Sequence, residues 1–168
     1  MIILISGSVG SGKTSVSNLV AEKLDNCKLV HLNDLAAEYK IEEVEKLQTF
    51  DFDLDKLLVN IEKEIKKWSE EGKTVVLEGH FAHFFKSDLV DLLFVINRDL
   101  RELKKEYVKR HYNEQKIKDN LEVESFNLCF YEAEEEGYDT SQIFCLNNDG
   151  DLEDLRDKII RKIENFKE

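Results

Sequence analysis

Proline is missing from this chain altogether, so slow prolyl isomerisation cannot limit its folding. The three cysteines, Cys27, Cys129 and Cys145, are odd in number and far apart. That pattern argues for a reducing compartment and against both a disulfide framework and a zinc site. No apolar run approaches the ~20 residues needed to cross a bilayer. The N-terminus enters an apolar run at once, so no signal peptide is expected. Repeats, low-complexity tracts and linkers are absent as well. Basic charge is in deficit: 24 Lys and Arg against 36 Asp and Glu leave a formal net charge of −12. Phosphate-backbone binding wants a basic face, so free nucleic acid is not expected as the main partner. A basic protein partner would be steered toward such a surface, although charge of this size also serves solubility alone.

What is present is a single globular domain of 168 residues, 36% charged and 42% hydrophobic. Its strongest signal is Gly7-Ser8-Val9-Gly10-Ser11-Gly12-Lys13-Thr14, which fits G-x-x-x-x-G-K-[ST] at every fixed position. The apolar run Ile2-Ile3-Leu4-Ile5 precedes it, and the helical pattern Val16, Leu19, Val20, Leu24 follows. Strand, glycine turn and helix N-terminus together make a phosphate cradle: glycines let backbone amides face the anion, and the helix end adds its dipole and unpaired donors. The motif implies a nucleoside triphosphate with Mg²⁺. Gly10, Ser11, Gly12, Lys13, Thr14 and Ser15 would form the cradle, Lys13 would reach the outer phosphates and Thr14 would ligate the ion.

Strand-like runs are expected at 2–6, 27–31, 74–78, 91–96 and 142–146, with helical periodicity between them. Leu54, Leu57, Leu58, Ile61, Ile65 and Trp68 form one apolar helix face; Leu152, Leu155, Ile159, Ile163 and Phe166 form another. This alternation predicts an α/β fold, with a parallel sheet covered by helices on both faces and a ligand site beyond the carboxyl ends of the strands. The polar stretch from Tyr39 to Asp53 reads as a mobile excursion able to close on a second substrate, or equally as an ordered surface loop.

Glu78, ending the third strand in Glu78-Gly79-His80, lies where a second Mg²⁺-directed acid is expected; it would hold the ion through water or align an attacking group. His80 could face the cleft, whereas His83 reads as structural. Asp34 is expected to cap a short helix. Asn97 to Lys118 is a basic segment inside an acidic chain. Leu100, Leu103 and Tyr107 make its helical stripe, and Arg110 continues that line inward, where a guanidinium could neutralise a transferring phosphoryl group.

The run Arg110-His111-Tyr112-Asn113-Glu114-Gln115-Lys116-Ile117-Lys118-Asp119-Asn120, followed by Glu124, Phe126, Glu132 and Ala133, resembles the lid and post-lid helix of the adenylate kinase isoenzyme 6 family. These are also called coilin-interacting nuclear ATPase proteins, and archaeal members carry the name "putative adenylate kinase". The phosphate loop, Asp34-Leu35-Ala36, and Glu78 with His80 and Phe84-Phe85 follow the family order. The resemblance implies a nucleoside-monophosphate-kinase-like three-layer fold with a five-stranded parallel sheet. It also implies a monophosphate flap at about 31–53 that includes Asp34, and a lid at about 109–119. Implied catalytic groups are Lys13, Glu78, His80 and Arg110, with Mg²⁺ on Thr14 and Glu78. The implied activity is phosphate transfer from ATP to AMP with accompanying ATP hydrolysis, by a free monomer in cytoplasm or nucleus. A role in small ribosomal subunit maturation through a basic ribosomal protein also belongs to that resemblance. The chain departs from the family pattern at Glu78 (usually Asp), Ala37 (often Arg), Ile96-Asn97-Arg98-Asp99 (commonly Leu-Arg-Thr-Asp) and Lys86 (usually Pro).

Overall fold

A computed structural model describes residues 1–167. The chain runs β1 (Ile2–Ser6), α1 (Lys13–Ala21), β2 (Cys27–His31), α2 (Leu32–Ala36), β3 (Lys40–Val44), β4 (Thr49–Phe52), α3 (Leu54–Glu70), β5 (Thr74–Glu78), β6 (Leu92–Asn97), α4 (Leu100–Lys109), α5 (Glu114–Ser125), α6 (Leu128–Glu135), β7 (Ile143–Asn147) and α7 (Leu152–Lys167). Five strands form a parallel sheet in the order β2-β5-β1-β6-β7. From β1 the chain goes first to the edge strand β2, returns to place β5 between β2 and β1, then crosses to β6 and β7 on the other side. The strand order therefore reverses beside β1, and the crevice at its carboxyl end is the expected ligand position.

Both faces of the sheet are covered, which is why β1 and β6 are apolar without a break rather than alternating. Leu4, Val75, Leu77, Leu93 and Val95 face α3 and α6, packing on Leu57, Ile61, Ile65, Cys129 and Ala133. Ile3, Ile5, Val76, Phe94 and Ile96 face α1 and α7, packing on Val16, Val20, Leu155, Ile159 and Ile163. The two expected helix stripes are those core faces, except that Phe166 at the end of α7 is exposed. Asp53, Asp99 and Asn113 cap α3, α4 and α5 by accepting bonds from first-turn amides.

Three local expectations need correction. Strands β6 and β7 sit one residue later than the apolar runs suggest. The stretch from Tyr39 to Asp53 holds an antiparallel hairpin, β3 on β4, instead of open loop; Phe50 and Phe52 anchor it on the core, an aromatic alternation outweighing the polar composition. Asp34 does not cap α2. The cap position is His31, and Asp34 lies exposed in the helix's first turn.

Candidate functional site

The segment from Gly7 to Gly12 joins β1 to α1 and is pressed against its neighbours. Gly7 has φ 137° and Gly12 φ 98°; a Cβ at Gly7 would stand 2.3 Å from the Ile96 carbonyl oxygen, and one at Gly12 would stand 2.3 Å from Asn148 Nδ2. Both the left-handed backbone and the lack of room demand glycine there. Four consecutive carbonyls of this loop are tied down by side chains. Lys13 Nζ donates to Ser8 O (2.7 Å), Tyr107 Oη to Val9 O (2.6 Å), Arg98 Nη1 to Gly10 O (2.9 Å) and Asn148 Nδ2 to Ser11 O (2.8 Å). Because these bonds are made on the carbonyl side, they hold the loop's shape without consuming its amide donors. Ser8 Oγ further donates to Glu124 Oε2 (2.6 Å), whose other oxygen accepts from Arg98 N (2.7 Å).

Lys13 is buried, and burial lowers its pKa to about 8 even though the carboxylate of Glu78 pulls it upward. A phosphate arriving beside it would add the counter-charge it lacks. Glu78 ends β5 with 2% exposure. Its Oε1 accepts from Thr14 Oγ1 (3.1 Å) and lies 2.8 Å from His31 Nδ1. Among the described residues its Oε2 is buried with no hydrogen-bond partner. An orphaned carboxylate oxygen beside a threonine hydroxyl is a hard-oxygen pair suited to Mg²⁺.

Two clefts open here. The first, about 320 Å³, is lined by Gly10, Gly12, Lys13, Thr14, Ser15, Asn33, His80, Arg98, Glu106 and Arg110. The second, about 510 Å³, lies between the β3–β4 hairpin and the start of α5; Phe50, Phe52, Tyr112 and Lys116 line it with Asn33, His80 and Arg110. The clefts meet at those three residues and at Val9, which lines both. His80 pairs with Asn33 Oδ1 (3.0 Å). Its ring keeps some exposed surface, yet the crowding walls, with Lys13 and Lys116 adding like charge, lower its pKa to about 4.

Gly10, Gly12, Lys13, Thr14, Ser15, His80 and Arg110 thus border one region; Glu78 stands behind Thr14, and Ser11 is fully buried and lines neither cleft. Arg110 is not an interior helix residue; α4 stops at Lys109, and Arg110 caps it, 42% exposed, with Nε bonded to Glu106 Oε1 (2.7 Å). Asp34 belongs to neither lining, and Asn33 stands there in its place. Sequence reasoning missed Asn33, Asn148 and the loop-holding role of Tyr107. Arg98 and Glu124 were visible only as members of a charged run and a family pattern.

Fold and site together define a P-loop α/β protein of the nucleoside-monophosphate-kinase-like type. Two solved structures share the fold. An uncharacterized protein from Eubacterium ventriosum aligns with TM-score 0.60 at 19% identity, covering 98% of each chain. Thymidylate kinase from Candida albicans aligns with TM-score 0.54 at 16% identity, covering 99% of this chain and 92% of that one. The family model described as "AAA domain" matches residues 3–127. A "putative adenylate kinase" of Pyrococcus furiosus is 41% identical over 136 residues, 81% of this chain and 70% of that protein. One of Thermococcus gammatolerans is 36% identical over 85% of this chain and 75% of the relative. Another, of Methanocaldococcus jannaschii, is 28% identical over 100% of this chain and 89% of its own length. The chain belongs to the AAA-domain family matched by that model and, within it, to the adenylate-kinase-like family of these archaeal proteins. By family it is a nucleotide kinase; the two solved structures show the fold alone.

Proposed function

We propose that this protein transfers the γ-phosphoryl group of ATP to AMP, with ATP hydrolysis as an accompanying activity. The observation that carries the reading is the pair of clefts meeting at Asn33, His80 and Arg110, one floored by the phosphate loop and the other roofed by the hairpin. Two substrates placed end to end suit direct transfer, whereas hydrolysis needs one cleft and a water. The hairpin tip and the 111–116 segment support the roles of flap and lid. Asn113 Nδ2 donates to Lys46 O (2.8 Å), Asn113 N to Gln48 Oε1 (2.7 Å) and Gln48 Nε2 to His111 O (3.3 Å). Such a roof excludes water once both substrates are seated.

Lys13 and the loop amides hold the ATP phosphates in this reading. Arg110 exchanges its Glu106 partner for the transferring group, and Lys116 with Arg110 offers positive charge to the monophosphate. Asn33 and His80, neutral at physiological pH, orient oxygens at the junction by hydrogen bonding rather than by proton transfer. Thr14 and Glu78 would hold Mg²⁺, which would neutralise phosphate charge.

A second reading, an ATP-hydrolysing assembly factor for the small ribosomal subunit, draws support from Ala37, which brings no cationic group to the flap, and from the net charge of −12, complementary to a basic ribosomal protein. Cytoplasm or nucleus would be its setting. ADP stoichiometry separates the readings. Two ADP per ATP consumed in the presence of AMP is the kinase outcome; one ADP plus free phosphate, unaltered by AMP, is the hydrolase outcome and would refute AMP as acceptor. Repeating the assay with other nucleoside monophosphates tests a different acceptor.

A further inference from the structure

Outside the nucleotide clefts, His83, Cys129 and Glu132 each bring one donor atom to a common point, all within 4.8 Å of one another. His83 lies in the turn after β5, while Cys129 and Glu132 are three residues apart on α6 and therefore share a helix face. His83 and Cys129 are buried, at 1% and 5% exposure. Both ring nitrogens of His83 are engaged: Nδ1 is 2.7 Å from Ser6 Oγ and Nε2 is 2.9 Å from Glu132 Oε2.

The geometry points to a binding site for a soft divalent cation of the Zn²⁺ class, held by His83 Nε2, Cys129 Sγ and a Glu132 carboxylate oxygen. One nitrogen, one sulfur and one oxygen make a three-ligand zinc set with the fourth tetrahedral position open. A thiolate discriminates against Mg²⁺ and Ca²⁺, so the site would not compete with Thr14 and Glu78 for the nucleotide's ion. Ser6 is the outer partner that such a histidine needs. Without the ion, the Ser6 hydroxyl donates to Nδ1 and Nε2–H donates to Glu132, so both ring nitrogens are paired. With it, the ring proton resides on Nδ1 and is donated to Ser6 Oγ, while the Nε2 lone pair faces the cation. The Cys129 thiol proton leaves to solvent. Thiolate and carboxylate then balance the two positive charges. Tetrahedral zinc bonds of about 2.0–2.3 Å set ligand atoms roughly 3.3–3.8 Å apart, so His83 Nε2 and Glu132 Oε2, now 2.9 Å apart, must part slightly to admit the ion, while separations toward the 4.8 Å limit must close. A cleft of about 270 Å³, lined by Cys129, Glu132, His80, Gly7 and Ser8, gives the ion a way in. Spacing along the chain argues against zinc because no second cysteine lies near; folding supplies a histidine and a carboxylate instead.

Titration of the purified, nucleotide-free full chain with Co²⁺, followed by absorbance, tests this. One equivalent should produce a thiolate-to-cobalt charge-transfer band that Zn²⁺ abolishes by displacement. The band should vanish in Cys129→Ser and persist in the Cys27→Ser/Cys145→Ser double variant. Ser6→Ala should weaken Co²⁺ binding by about 10–100-fold. Absence of the band, its survival in Cys129→Ser, its loss in the double variant, or unchanged affinity in Ser6→Ala would overturn the site. Should Cys129→Ser fail to fold, Glu132→Gln carries the same test, since Glu132 is 38% exposed: at least about a tenfold loss of affinity is expected, and an unchanged titration refutes the assignment.

Discussion

Replacing Lys13 with methionine should stabilise the protein while destroying the proposed triphosphate site. The ammonium is buried, and burial lowers its pKa from 10.5 to about 8. At about 1.36 kcal/mol per pH unit, holding that charge at pH 7 costs the folded state on the order of 3 kcal/mol. Methionine fills a similar volume without the charge, but it removes one of the two donors to the Ser8 carbonyl and leaves only Ser11 N, a loss of about 1 kcal/mol. The net gain is about 1–2 kcal/mol, which for a chain of this size raises Tm by on the order of 5 °C. The sign with pH is also determined. Between about pH 8 and 10.5 the unfolded chain binds a proton at this lysine that the folded chain has lost, so wild-type stability rises with pH through that window. The advantage of Lys13→Met should therefore shrink from pH 7 to pH 10.5. Thermal unfolding of both proteins across pH, with and without ATP, measures this. ATP at about 100 times its Kd should add about 2.7 kcal/mol to wild type and nothing to the variant. A ligand-free variant less stable than wild type at pH 7, or a stability difference independent of pH, would refute the assignment of a charge held against desolvation for an anion.

Other perturbations test other parts of the site. Gly12→Ala meets a positive φ and Asn148 Nδ2 at once, so unfolding free energy should fall by about 1–3 kcal/mol and ATP binding should be lost; normal binding in equilibrium dialysis would contradict the loop geometry. Glu78→Gln keeps size but removes charge beside Thr14, so turnover should require a higher Mg²⁺ concentration; a superimposable magnesium titration would count against ion binding there. Arg110→Ala should lower kcat by about 10²-fold or more while leaving ATP affinity within a few fold, and an unchanged kcat would confine Arg110 to its pair with Glu106.

The phosphate loop was legible because its chemistry is local. Glycine positions, lysine and threonine occur in a fixed run, flanked by a strand and a helix whose periodicities are also local. The helix stripes of α3 and α7 were legible for the same reason: side-chain spacing on one helix decides which face meets the sheet. Arg110 shows where that reasoning ends. Its spacing from Tyr107 put it on the inward line, but the line assumes that the helix continues, and α4 stops one residue earlier. Asp34 entered as a cap candidate and through the Asp34-Leu35-Ala36 resemblance, while the direction of one short helix made Asn33 the cleft residue. Asn148 carried no signal, since nothing along the chain says that the turn after β7 reaches the Ser11 carbonyl, 137 residues away in sequence.

By itself the sequence determined the strand–helix alternation, both core faces and the glycine-rich turn between β1 and α1, since each follows from periodicity or a contiguous motif. Tertiary structure alone decided which carbonyls the loop surrenders to Lys13, Tyr107, Arg98 and Asn148. It also decided that Glu78 meets Thr14 with an oxygen to spare, and that His83, Cys129 and Glu132 converge beneath β1. Those are contacts between segments distant along the chain, and their geometry exists only once the sheet order has brought the segments together.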